Sequence, residues 1–139
     1  MGNDDSEAIT AAHAFAHAEA IVKIAKEQSG VDLDFSPESL VAVDEIIEGF
    51  RREDLTVDEV LATLFSFGCY LGEILVRNHG GAWKKADDTP MKGKAGAPLV
   101  VELPHGHICN PLRKTYKRMQ NGPVDSVQYF YQVVTRGLK

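Results

Sequence analysis

The sequence predicts an α+β domain in which three N-terminal helices pack on a small antiparallel sheet of about three strands, with two further helices closing the structure. Three observations carry this fold class. Apolar residues recur at helical spacing through the first half of the chain. After Asn78-His79-Gly80-Gly81 the period changes, and short apolar runs alternate with polar loops and turn chemistry. Helix start signals then return at Asn110-Pro111 and at Asp125. At 139 residues the chain has the usual size of one domain, spanning 1–139, in which residues 1–5 are expected to be disordered.

Residues 6–28 are alanine-rich and free of proline and glycine, and Ile9, His13, Ala16, Ala20 and Ile24 recur at helical spacing, so a first helix is expected to run to Ser29-Gly30. For the second, Ser36 can cap, Pro37 suits the first helical position and Glu38 favours the positive end of the helix dipole. Leu40, Val43, Ile47 and Phe50 make its apolar stripe, and Arg51 to Asp54 close it on the solvent side. Thr56-Val57-Asp58-Glu59 has the form of a capping box for a third helix. From Val60 to Val76 only Glu73 is charged and apolar residues lie on every face, which marks a central buried helix. That stretch is too short and too polar for a membrane span. Gly68 and Gly72, four apart, share a face on which another backbone can approach closely.

Trp83 falls in a short strand, Pro98 to Leu103 in a second and buried one, and the polar segment 84–97 between them reads as a flexible loop. Pro104-His105-Gly106 has turn chemistry, so His107-Ile108-Cys109 returns antiparallel. Asn110 caps and Pro111 opens a fourth helix that stops near Asn121-Gly122-Pro123. Asp125 is expected to cap the last helix, with Val127, Phe130, Tyr131 and Val134 on its buried face.

Composition narrows the function classes. With 44% hydrophobic and 25% charged residues, the chain is neither collagen-like, nor low-complexity, nor wholly disordered. Two cysteines, Cys69 and Cys109, make no disulfide scaffold and fit a reducing, cytoplasmic compartment. The acidic start, with Asp4, Asp5 and Glu7, is unlike a secretory signal, and Gly2 with Ser6 matches a myristoylation pattern only in a poor context. The net charge of −5 hides a division: residues 1–60 carry 4 basic and 15 acidic side chains, and residues 61–139 carry 11 and 5. The two halves can neutralise each other within the fold or across a symmetric dimer, or the basic half can dock an acidic partner.

The fourth helix holds the clearest candidate site. Leu112, Tyr116 and Met119 are spaced to face the core, which leaves Arg113, Lys114, Lys117 and Arg118 on the other side. Such a face is either solvated or a site for phosphate, carboxylate or an acidic protein surface. No nucleic-acid-binding motif accompanies it, and nucleic acid is not expected. His13 and His17 lie at i and i+4, and His105, His107 and Cys109 alternate along a turn and strand; either set could approach one metal ion, but neither has an established metal-site spacing. Glu73 could act as an acid or base if buried, but Arg77 one turn on is its expected ion-pair partner. Cys109, beside a helix N-terminus and near His105 and His107, has the setting of a thiol with a lowered pKa, with no orienting third group.

These segments resemble a group of small uncharacterised bacterial proteins, domains of unknown function. The residues that carry the resemblance are Leu33-Asp34-Phe35-Ser36-Pro37-Glu38-Ser39-Leu40, Leu71-Gly72-Glu73, Gly80-Gly81-Ala82-Trp83, Lys117-Arg118 and Asn121 to Ser126 leading to Tyr129-Phe130-Tyr131. The resemblance implies helices, then a hairpin, then helices. It also leans toward binding, since some members are similar to immunity or accessory proteins, and it supplies no catalytic residue.

The expected function is therefore a non-enzymatic binding or accessory module that uses no cofactor and has no membrane role. Arg113, Lys114, Lys117 and Arg118 would contact an acidic protein or an anionic ligand, with Trp83 and the 84–97 loop flanking that surface. The alternatives are a hydrolase using the histidines or Glu73, and a structural homodimer.

Overall fold

A computed structural model describes residues 9–138 of the chain. The expected disorder of residues 1–5 and the Gly2/Ser6 pattern lie outside the described residues. Helix α1 spans Ala11–Ser29, and a single 3-10 turn at Pro37–Ser39 leads into α2, Leu40–Arg52. Helix α3 spans Val57–His79. Strands β1 (Ala82–Lys85), β2 (Leu99–Glu102) and β3 (Ile108–Cys109) follow, then α4 (Pro111–Asn121), a 3-10 turn at Gly122–Asp125, and α5 (Val127–Val134). The sheet is antiparallel in the order β1-β2-β3, with Ala82 opposite Glu102, Lys85 opposite Leu99 and Val101 opposite Cys109. The α+β fold class and its order of three helices, hairpins and two helices are as the sequence predicts.

The helix boundaries follow from their caps. Thr10 and His13 form a capping box at the start of α1, so the helix begins at Ala11. The predicted Thr56–Glu59 box caps α3, and Gly30 and Gly80 close α1 and α3 in the left-handed conformation that glycine tolerates. Ser36 accepts from Ser39 N and Asn110 from Arg113 N, as expected of capping residues. At α5 the cap is Ser126, which accepts from Tyr129 N, and not Asp125, whose carboxylate is occupied by Lys114 and Asn121.

Helix α3 is the axis of the core. Eleven of its 23 residues are buried, although by length and composition it could cross a membrane. Helices α1 and α4 make the most extensive contacts with it, and the sheet packs on its C-terminal half, where Leu75 O, Val101 and Leu103 surround Gly81. The buried face of α1 is Ala14, Ala18, Ile21 and Ala25, one residue round from the row Ile9, His13, Ala16, Ala20 and Ile24 that the spacing picks out; His13 and Ile24 are exposed. Both rows have helical period in so alanine-rich a segment, and the small residues win because they let α1 approach α3 closely. Leu40, Val43 and Ile47 of α2 are buried as predicted, as are Val127, Tyr131 and Val134 of α5. The 84–97 segment is not a loose loop: Ala86, Ala95 and Val100 form a small second apolar cluster, covered by Met91 and Ile108.

Gly68 and Gly72 do admit close neighbours. A β-carbon at Gly68 would lie 2.7 Å from Leu112 Cα and 3.1 Å from Pro111 O, so the first turn of α4 seats directly on α3. At Gly72 the neighbour is a side chain, the Trp83 indole, which a β-carbon would overlap. Gly49, inside α2, faces open space. Gly68→Ala should therefore lower stability to urea by about 1–3 kcal/mol through overpacking. Gly49→Ala should raise it by about 0.5–1 kcal/mol through helix propensity alone. Equal effects of the two substitutions would refute the close α3–α4 seat.

Candidate functional site

The four cations of α4 do not form one face. Helix α4 buries Leu112, Thr115, Arg118 and Met119, with Tyr116 only partly covered. Thr115 spends its hydroxyl on Leu64 O, at 2.7 Å. Arg118 is therefore a core residue, 4% exposed, and not part of a solvent-facing set. Its Nε donates to Asp44 Oδ1 at 3.1 Å, Nη1 to Glu48 Oε1 at 2.8 Å and Nη2 to Asp44 O at 3.1 Å. The signal for this lay in α2, where Asp44 and Glu48 stand one turn apart on the flank of the apolar stripe. Arg118 also holds the Glu48 carboxyl below its usual range, chiefly by its hydrogen bond.

Lys114 is likewise committed. Its Nζ lies 2.7 Å from Asp125 Oδ1, and Asn121 donates to Oδ2 at 2.7 Å; these two bonds lower the Asp125 pKa. Arg113 and Lys117 remain exposed, and among the described residues neither forms an ion pair.

Arg113 borders an open groove of about 410 Å³. Leu61, Leu64 and Phe65 of α3 form one wall, Leu112 and Tyr116 of α4 the other, and Gly96, Ala97 and Pro98 close one side. Asn110 fixes that side by donating from Nδ2 to Ala95 O at 2.8 Å while its Oδ1 caps α4. Gly96, at φ 65°, leaves room for the Arg113 guanidinium: a β-carbon there would lie 3.1 Å from Nη1. Arg113 Cζ sits 6.0 Å from the Tyr116 ring centre. Of the 84–97 segment, Gly96 and Ala97 line the groove.

Trp83 does not line this groove. Its Nε1 donates to Glu73 Oε2 at 2.9 Å, while Arg77 Nε donates to Oε1 at 3.2 Å. The expected Glu73–Arg77 pair thus exists, with a second donor that spacing did not reveal. Arg77 in turn reaches Glu19 Oε2 at 3.1 Å and stacks 3.6 Å from the Phe35 ring centre. Phe35 holds a left-handed backbone at φ 63°, and its N–H donates to the Tyr70 hydroxyl at 2.8 Å.

The histidines and thiols are dispersed. His13 serves the Thr10 cap, and His17 packs edge-on against Phe65 and touches Ser66. His105 and His107 are exposed at a hairpin tip with ring centres 5.9 Å apart, whereas Cys109 is buried and aims its thiol at Val101 O. Among the described residues no three His, Cys, Asp or Glu side chains are grouped to hold a metal ion. The expected lowering of the Cys109 pKa is reversed: burial pushes the thiol up to about 12, and burial with the Glu73 charge does the same for Cys69. A further pair, His79 Nε2 with the Tyr131 hydroxyl at 2.5 Å, joins α3 to α5 and has no sequence signal, since the residues lie 52 apart.

Two measurements check these assignments. Arg118→Met should destabilise the protein by about 3 kcal/mol in urea, because it removes the cation paired with Asp44 and leaves Glu48 only Arg51; a loss below 1 kcal/mol would return Arg118 to the surface. A thiol of pKa about 12 is thiolate to only about one part in 100,000 at pH 7. Both thiols should therefore react slowly with a disulfide reagent in the native protein and rapidly in denaturant, and a fast native thiol would contradict the burial.

No curated protein and no solved structure matches the chain. A family model, described as a family of unknown function, matches residues 2–133, and with nearly its whole length covered the chain belongs to that family, DUF6278.

Proposed function

We propose that this protein is a non-enzymatic recognition module whose binding site is the groove between α3, α4 and residues 96–98. The observation that carries the reading is Arg113, the one α4 cation that is exposed, without an ion-pair partner among the described residues, and part of an apolar concave wall. Concave apolar surface with few convergent polar groups is the usual form of a ligand site. Leu61, 48% exposed at its edge, gains by being covered. The reading keeps the anionic recognition expected from α4 but narrows it from four cations to one, and it moves Trp83 out of the surface. It is also supported by Glu73, whose two carboxylate oxygens each accept a hydrogen bond from a fixed partner.

A fragment screen followed by amide chemical shifts tests the reading. Bound fragments should perturb residues 61–65, 96–98 and 112–116 together. Leu61→Ser, at an exposed position, should leave the melting temperature nearly unchanged and weaken those fragments about fivefold, as loss of roughly 1 kcal/mol of apolar burial requires. Hits that cluster elsewhere, or are indifferent to Leu61→Ser, would overturn it.

A further inference from the structure

We infer that the groove takes a monoanion with an apolar body, a medium-chain or aryl-alkyl carboxylate, with the carboxylate on Arg113 and the hydrocarbon between Leu61, Phe65 and Tyr116. This rests on the groove being the binding site and adds the chemistry of its occupant. Charge accounting is the first argument. Lys114 and Arg118 are consumed by Asp125, Asp44 and Glu48, and Lys117 does not line the groove. One guanidinium therefore serves the groove, which matches one negative group and not the rows of charge on nucleic acid or an acidic protein surface.

The neighbouring helix end has two of its first three N–H groups already committed, leaving only that of Leu112. Asn110 occupies the Arg113 N–H with its side chain and the Lys114 N–H with its carbonyl, and Pro111 has no N–H to give. The charge offered to the anion is that of the guanidinium, whose planar fork suits a carboxylate. The second argument is shape. A groove of about 410 Å³ lies in the lower part of the range for small-ligand sites, and its walls are aliphatic and aromatic apart from that one cation. An apolar chain laid there excludes water from beside Arg113 and so strengthens the ion contact.

The probes are octanoate and octanol, matched in chain and differing in charge, titrated into the wild-type protein and Arg113→Gln by calorimetry and amide shifts. Octanoate should perturb residues 61–65, 96–98 and 112–116 and bind at least about tenfold more tightly than octanol, the scale of one charge-assisted hydrogen bond. Arg113→Gln, at an exposed position, should keep the wild-type melting temperature and bring the two probes to equal affinity. Equal binding of both probes by the wild type would overturn the carboxylate assignment while leaving the groove a binding site. Octanoate binding unchanged by Arg113→Gln, shifts confined to other residues, or no binding of either probe would overturn it as well, and the fragment screen then decides separately whether the groove binds anything.

Discussion

The carboxylate of Asp44 ties three helices together. Its Oδ1 accepts from Arg118 Nε of α4 and, at 2.8 Å, from Val127 N of α5; its Oδ2 accepts from Ser126 Oγ at 2.8 Å and Gln128 N at 3.1 Å. One anion on α2 thereby satisfies amides at the start of α5 that would otherwise lack partners, and places negative charge at the positive end of that helix. It also sets the rotation of α4. Residues 113 and 118 are about 140° apart around a helix, so turning Arg118 inward to Asp44 turns Arg113 away from α2, toward the groove. Internal neutralisation and the exposure of one cation are two results of one orientation.

The acidic first half and basic second half meet in this way and in the Arg77–Glu19 pair. Two basic side chains of the second half, Arg77 and Arg118, are thereby paired with three acids of the first, Glu19, Asp44 and Glu48. Buried ion pairs such as those of Arg118 with Asp44 and Glu48 add little net stability against an apolar replacement of similar volume, because desolvation offsets attraction. Their effect is on geometry, since each donor has one acceptor that fits it.

What was legible in the sequence was local. Caps at Ser36, Thr56 and Asn110, glycine stops at Gly30 and Gly80, and the change of period at residue 80 depend on neighbours within one turn, and these placed the elements. The stripes of α2 and α5 could be read because their apolar residues contrast with polar ones. The face of α1 was misread because alanine offers no such contrast, and that of α4 because Thr115 and Arg118 are polar residues buried on partners far along the chain. Residues 44 and 118 lie 74 positions apart, so spacing within α4 carries no trace of their pairing. The groove escaped for the same reason, since its walls come from α3, α4 and residues 96–98.

Trp83 is the only tryptophan of the chain, and its setting gives the protein a built-in optical probe. The indole lies over Gly72 with its N–H on a buried carboxylate, so its emission reports the seating of β1 on α3. Because it does not line the groove, a ligand there would leave that emission nearly constant, whereas detachment of the hairpin would shift it. Fluorescence and helical circular dichroism would then follow different parts of the molecule, and their coincidence during unfolding would measure how far the sheet and the helices melt as one cooperative unit.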